Sequence, residues 1–297
     1  MSGVAGRFAQ PGPVVIGGLG GSGTRVYAAL AQHAGFYLGE QLNVSLDNLW
    51  VTLLLKRQYR TLDRAQRAGT ALGLLEKKLA RGGWMSPREH ALLWGTAQHM
   101  ARRGHDHRGG GRGSWTWDKA LRLARARPPQ PGVYRGWGFK EPNTHVFLEH
   151  LAARFEGLRY LYVLRHGLDM AWSDNVAQLH NWGAHYGVAP PDDEEALPSA
   201  QLEFWLRATD RAMATGKRLL GDRFLVLRYD ELTASPASQL SVLADWLGVD
   251  ASCFDAPEVA AWVQPTDSQG RYRERGAAAF SAAQLDGVRG LGFEVAV

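Results

Sequence analysis

The 297-residue chain has one cysteine, Cys253. No intrachain disulfide can form, and a thiolate cluster around a metal is excluded. Long apolar runs are also missing. The longest largely apolar stretch, from Leu49 to Leu55, is far shorter than the roughly 18 residues that span a bilayer. The first ten residues lack the apolar centre of a signal peptide, so the expected location is the cytoplasm, with no membrane partner. Internal repeats are absent. Grouped metal ligands are scarce as well: His105-Asp106-His107 has no companion cluster, and no metal is expected.

What is present is a well-mixed chain with an uneven charge. The formal net charge is +5, yet Lys56 to Arg127 carries 17 Lys and Arg against 5 Asp and Glu, a local +12. That imbalance suggests an anionic partner for the middle of the chain, although no nucleic-acid-binding motif accompanies it. This segment reads as helical. Ser86-Pro87-Arg88-Glu89 has the cap, first-turn proline and acid of a helix start, predicting a helix to about Arg103. The glycine-rich stretch Gly104 to Gly113 follows, and is expected to be a mobile loop.

The chain is organised around Val14 to Arg25, Val-Val-Ile-Gly-Gly-Leu-Gly-Gly-Ser-Gly-Thr-Arg. A short apolar strand runs into five glycines within seven residues, and a helical pattern begins at Thr24. Such a strand, turn and helix start aim unpaired N–H groups and the positive end of a helix dipole at one spot, which makes an anion site. The stretch satisfies the dinucleotide fingerprint, with Glu40 near the distance of a ribose-binding acid. Gly18 and Gly23 also bracket four residues as in a nucleoside-triphosphate loop, but Thr24-Arg25 stands where Lys then Ser or Thr belong.

Regular strand–helix alternation resumes at Arg135. Gly136 to Lys140 reads as a strand leading into Glu141-Pro142-Asn143, and Thr144 to Phe155 as a helix. Leu158 to Leu164 is the clearest strand and ends directly in Arg165. The next helix, from Gly167 to Ala177, is expected to carry Asp169 and Ser173. A long helix is expected from about Ala200 to Leu220, then a strand at Phe224 to Leu227 followed by Arg228-Tyr229-Asp230-Glu231-Leu232. A nucleoside triphosphatase usually places a magnesium-binding Asp after the central strand. Arg165 stands there instead, with Ser173 eight residues on. An arginine fork and a hydroxyl suit a second phosphate, held without metal.

With both anion sites in view, the chain resembles the sulfotransferases that use 3′-phosphoadenosine 5′-phosphosulfate. Gly20 and Gly21-Ser22-Gly23-Thr24-Arg25 resemble their 5′-phosphosulfate loop. Tyr162 to Ser173 is similar to their 3′-phosphate element, Tyr229 to the tyrosine beside the adenine, and Arg275-Gly276 to a late Arg-Gly element. The resemblance implies an α/β fold with a central parallel sheet flanked by helices, the P-loop-like sulfotransferase fold. Residues 1–297 would form one such domain, carrying a basic helical insertion at about 50–130. It implies the phosphosulfate as donor, adenosine 3′,5′-bisphosphate as product, and a hydroxyl or similar acceptor on a small molecule or carbohydrate.

The family usually has Lys or Arg where this chain has Gly21. Lys140, in a Lys-Glu-Pro-Asn stretch similar to the family's Lys-x-Pro, is the expected catalytic cation, with Arg25 a weaker substitute. Glu40 after Gly39, like the Gly-Glu of protein-tyrosine sulfotransferases, is the expected base, with Glu141 and Asp47 as rivals. Two alternatives remain: a Rossmann-type oxidoreductase binding NAD(P), and a non-catalytic protein binding nucleotide or nucleic acid.

Overall fold

The structure is a computed structural model and describes residues 7–10, 12–56, 65–103 and 113–295. His105-Asp106-His107 and Gly109-Gly110-Gly111 lie outside the described residues. Five strands form one sheet: β1 (Pro13–Gly18), β2 (Phe36–Tyr37), β3 (Gly136–Lys140), β4 (Arg159–Leu164) and β5 (Phe224–Arg228), in the order β2-β3-β1-β4-β5. The sheet is parallel and flanked by helices, as the sequence predicts. β3 pairs with β1 in parallel, Val14 opposite Gly138 and Ile16 opposite Lys140, and pairs with β2 through Phe36 and Gly136. Every residue of β1 and β3 is buried. This explains why both read as runs without the alternation of a half-exposed strand.

The chain divides into two compact units, Met1–Ile16 with Ala28–Tyr160, and Gly17–Tyr27 with Leu161–Val297. In the first, the described residues between Leu49 and Arg125 are largely helical: Leu49–Leu54, Ala65–Glu76 continuing as a π-turn over Lys77–Arg81, Pro87–Arg103 and Ser114–Arg125. The expected helix start is present. Glu89 accepts from the Ser86 N–H at 2.6 Å, and Ser86 Oγ from the Glu89 N–H at 3.3 Å. Buried Asn48 caps Leu49–Leu54 by accepting from Trp50 and Val51, and its amide donates to the Leu38 carbonyl at 2.9 Å.

In the second unit the Leu197–Leu220 helix turns Leu202, Trp205, Ala208, Ala212 and Leu220 inward. The Pro236–Leu247 helix starts on its proline and stops at Gly248, which takes the left-handed conformation. One boundary differs from expectation. The helix begun at Gly167 ends at Ala171, so Ser173 lies in the turn beyond it. The buried amide of Gln201 donates to the carbonyls of Ala171 (2.7 Å) and Ser173 (3.2 Å), binding acceptors that further helical turns would need. Among the described residues, no helix is long and apolar enough to cross a membrane.

Candidate functional site

Two polar centres stand out, one in each unit. In the second unit the glycine turn leaves buried β1 and closes through Ser22 N–H to the Leu19 carbonyl (3.1 Å) and Val26 N–H to the Gly23 carbonyl (3.0 Å). Gly23 has φ +92°, and a side chain there would run into the Tyr229 ring. Gly21 is exposed with φ +100°. Its surroundings would admit a Cβ, so conformation rather than space calls for glycine there. The Gly20 N–H donates to Gln178 Oε1 at 3.2 Å. Ser22 and Thr24 are buried while Arg25 is exposed. The Ser22 hydroxyl is enclosed without a hydrogen-bond partner, and it lies in the turn that opens the ten-residue Thr24–His33 helix. A buried hydroxyl without a partner costs free energy unless something meets it. An anionic oxygen would.

Arg165 leaves β4 with 8% of its surface exposed. Its guanidinium donates to the Gly21 carbonyl (3.2 Å), Ser268 Oγ (2.8 Å) and Thr266 Oγ1 (3.4 Å). It lies over the Tyr229 ring at 5.4 Å, and its Nε is buried with no partner. No carboxylate forms an ion pair with it among the described residues. Burying an unpaired guanidinium is expensive, and hydroxyls and a carbonyl offset only part of that cost. Asp169, which the motif also contains, accepts from the N–H groups of Gly270 (2.7 Å) and Tyr272 (3.2 Å), fixing the segment that carries Thr266 and Ser268. His166 is equally constrained. Its Nδ1 accepts from the Leu168 N–H, so Nε2 donates to the Glu294 carbonyl at 2.8 Å while the ring stacks on Tyr272.

The other expected donor residues fall in several places. Half-buried Ser173 accepts from the Asn175 N–H at 3.2 Å and lines a small cavity with Gly20, Met170 and Gln178. Tyr229 is buried, and its hydroxyl donates to the Gln264 carbonyl at 3.2 Å. Wedged against Gly23 and under Arg165, it shapes the turn. Arg275 and Gly276 lie on an exposed turn. Arg271 is the late arginine that reaches inward, donating to the carbonyls of Ser268 (3.0 Å) and Trp172 (3.2 Å). Thr266, Ser268, Gln178 and Arg271 were not foreseen as site residues. They carry no motif, and only the fold brings them to Arg165 or the glycine turn.

The centre of the first unit is a pair of buried ion pairs at the end of β3. Lys140 is 1% exposed; it pairs with Asp47 and donates to the Ser45 carbonyl at 2.9 Å. Burial pulls its pKa below the usual lysine value, and the Asp47 carboxylate opposes that shift. Glu141, also 1% exposed, pairs with Lys56 and accepts from Thr52 Oγ1 at 3.0 Å. Burial pushes its carboxyl up to about 7, with Asp47 adding to the shift and Lys56 and Thr52 opposing it. Glu40 is exposed and takes no part in either pair. Among the described residues, no three His, Cys, Asp or Glu side chains gather as a metal site would require.

A family model described as the sulfotransferase family matches residues 13–253. No curated protein matches the chain. Among solved structures, the sulfotransferase domain of the Synechococcus PCC 7002 olefin synthase is 15% identical, covering 96% of this chain and 89% of that one, with a TM-score of 0.41. The sulfotransferase domain from the curacin biosynthetic pathway is 18% identical over 92% of this chain and 82% of its own, TM-score 0.42. Sulfotransferase STF1 from Mycobacterium tuberculosis H37Rv is 14% identical over 94% and 76%, TM-score 0.43.

Proposed function

The chain belongs to the sulfotransferase family, and from that premise we propose that it moves a sulfuryl group from 3′-phosphoadenosine 5′-phosphosulfate to a hydroxyl or similar nucleophile on a small molecule or carbohydrate. The observation that carries this reading is Arg165, a buried cation that forms no ion pair among the described residues and is hydrogen-bonded to the carbonyl of Gly21. Together with the unpartnered Ser22 hydroxyl, it gives the second unit two features suited to anionic oxygens. In this proposal the turn from Gly20 to Arg25 takes the 5′ end of the donor. Arg165 and Ser173 take the 3′-phosphate, Arg275 and Gly276 assist there, and Tyr229 stiffens the site.

In the transfer, the acceptor oxygen bonds to sulfur while the bond from sulfur to the donor's phosphate oxygen breaks. The acceptor proton passes to a base, and adenosine 3′,5′-bisphosphate leaves with the bonding electrons. Lys140 is proposed to stabilise charge developing on the sulfuryl group, and Glu40 to take the proton. Glu141 is the rival base, because burial brings its pKa near neutrality. No residue of this scheme needs a metal to act.

The test is a magnesium-free titration with adenosine 3′,5′-bisphosphate, AMP and NAD. The bisphosphate should bind at least tenfold more tightly than AMP. Equal affinity for the two would overturn the 3′-phosphate assignment, and preference for NAD would overturn the donor.

A further inference from the structure

The basic segment contains a groove that the transfer reaction does not use. The helix Ala65–Glu76 and its π-turn end at Gly82 and Gly83, both at positive φ (79° and 107°). Trp84 follows. Lys77 Nζ donates to its carbonyl at 3.0 Å, pinning the backbone, while 92% of the residue stays exposed. Alongside, the Ser114–Arg125 helix gives way to chain that is extended at Ala126. Arg7 donates to the Pro129 carbonyl, and its Nε is buried without a partner. Between these elements lies a groove of about 700 Å³, lined by Arg7, Lys78, Trp84, Arg125, Arg127 and Gln130 among others, with no acidic residue among the described ones.

Among the described residues, no carboxylate lining this groove balances its charges. Lys78 is only 6% exposed, and its ammonium donates to two carbonyls, Ala124 at 2.7 Å and Ala126 at 3.3 Å. The neighbouring acid, Glu89, is taken by Lys77 at 2.5 Å. Among the described residues, Arg7, Arg125 and Arg127 have no carboxylate partner either. Burial lowers the Lys78 pKa, and the nearby Lys77 and Arg127 push the same way against Glu89. Four cations facing one concavity repel each other until an anion arrives. A groove of about 700 Å³ is far larger than one small ion, so the complementary ligand carries several anionic groups.

We propose that this groove binds an anionic oligosaccharide bearing sulfate or carboxylate groups, with a sugar ring packed on the Trp84 indole and its anions on Arg7, Lys78, Arg125 and Arg127. Arginine forks match the oxygens of both groups. An exposed, backbone-pinned indole offers an apolar face to the CH-rich side of a pyranose at little entropic cost. Gln130 adds an amide that can both donate to and accept from hydroxyls. Single-stranded nucleic acid fits less well, because its grooves stack successive bases on several aromatic rings, whereas Trp84 is the one aromatic residue lining this groove among the described residues. The proposal concerns binding alone and stands whether or not the donor assignment holds.

The experiment titrates the full chain, without donor, with a sulfated heparin hexasaccharide. Saturable binding should weaken tenfold or more in Trp84→Ala and in the double variant Arg125→Ala/Arg127→Ala. It should change less than twofold in Lys217→Ala/Arg218→Ala, which removes two exposed cations elsewhere. The altered groove residues are exposed, so unchanged melting temperatures verify folding. No binding to the wild type, full affinity in Trp84→Ala, or an equal loss in the Lys217/Arg218 variant would each overturn the proposal. So would a thymidine oligonucleotide of equal charge that binds as tightly and depends equally on Trp84.

Discussion

At the scale of the residue, the second unit is organised by Arg165. Its spacing to Ser173 was legible in the sequence, as was the apolar strand before it. The hydroxyls of Thr266 and Ser268 were not, since a contact about a hundred positions away leaves no periodic trace. Replacing Arg165 with Ala should cost about 2–4 kcal/mol of bisphosphate affinity, the loss of a charge-assisted phosphate contact. Ser173→Ala should cost about 1 kcal/mol. Calorimetric titration checks both, and normal affinity in folded Arg165→Ala would remove the site. The Lys-Glu-Pro-Asn stretch makes Lys140 the expected catalytic cation; the burial of Lys140 against Asp47 depends on the loop that returns from β2, which local sequence does not reveal. Lys140→Ala should lower turnover about a hundredfold while donor affinity changes little; near-normal turnover would assign the sulfuryl cation elsewhere. Glu141 makes a pH prediction. Its raised pKa means the fold favours the protonated carboxyl, so its stabilising contribution is full below the ordinary value of 4.5 and is lost as pH rises through about 7. Glu141→Gln should therefore gain stability relative to the wild type between pH 4.5 and 8, on the order of 1–3 kcal/mol. Urea unfolding at the two pH values measures it, and a pH-independent difference would mean that Glu141 does not titrate in this range.

At the scale of the element, the glycine turn carries the clearest signal and also the clearest ambiguity. Its strand, glycines and helix start were readable, because each obeys a local rule. The template it followed was not, because dinucleotide, triphosphate and phosphosulfate loops share those local rules. What separates them here is the element after β4, where an arginine ends the strand. Gly23 tests the turn itself. At φ +92° a side chain is strained, and its Cβ would enter the Tyr229 ring. Gly23→Ala should therefore destabilise the protein by about 1–3 kcal/mol through backbone strain and displaced packing. It should also weaken bisphosphate binding at least tenfold, because the ring under Arg165 is displaced. Chemical unfolding and titration of the same sample separate the two effects. Wild-type affinity in a destabilised variant would detach Tyr229 from the donor site. The Gly167–Ala171 helix shows the opposite limit. Its early end follows from Gln201, a side chain thirty residues downstream that draws off its carbonyls.

At the scale of the whole molecule, the alternation of strands and helices was visible, and so was the charge excess between Lys56 and Arg127. Composition could not show how that excess is used. Part of it is absorbed internally, with Glu76 held by Arg81 and Arg154 and Glu89 by Lys77. Part collects around Trp84 with Arg7, a residue far outside the basic segment. The two proposed sites give anionic ligands two destinations, one in each unit, and hydrogen exchange can tell which a nucleotide chooses. A ligand that binds only the folded state at a hundred times its Kd stabilises by about 2.7 kcal/mol. Adenosine 3′,5′-bisphosphate should accordingly raise the melting temperature by several degrees, at about 2–4 °C per kcal/mol for a unit of this size. Amides that exchange by local opening should slow within 17–27, 165–173 and 264–272, where the proposed phosphate contacts lie. Those at 78–84 and 124–130 should not change. Protection confined to the latter two stretches would mean that the nucleotide occupies the basic groove as a generic anion, and the donor site would then have to be sought away from Arg165.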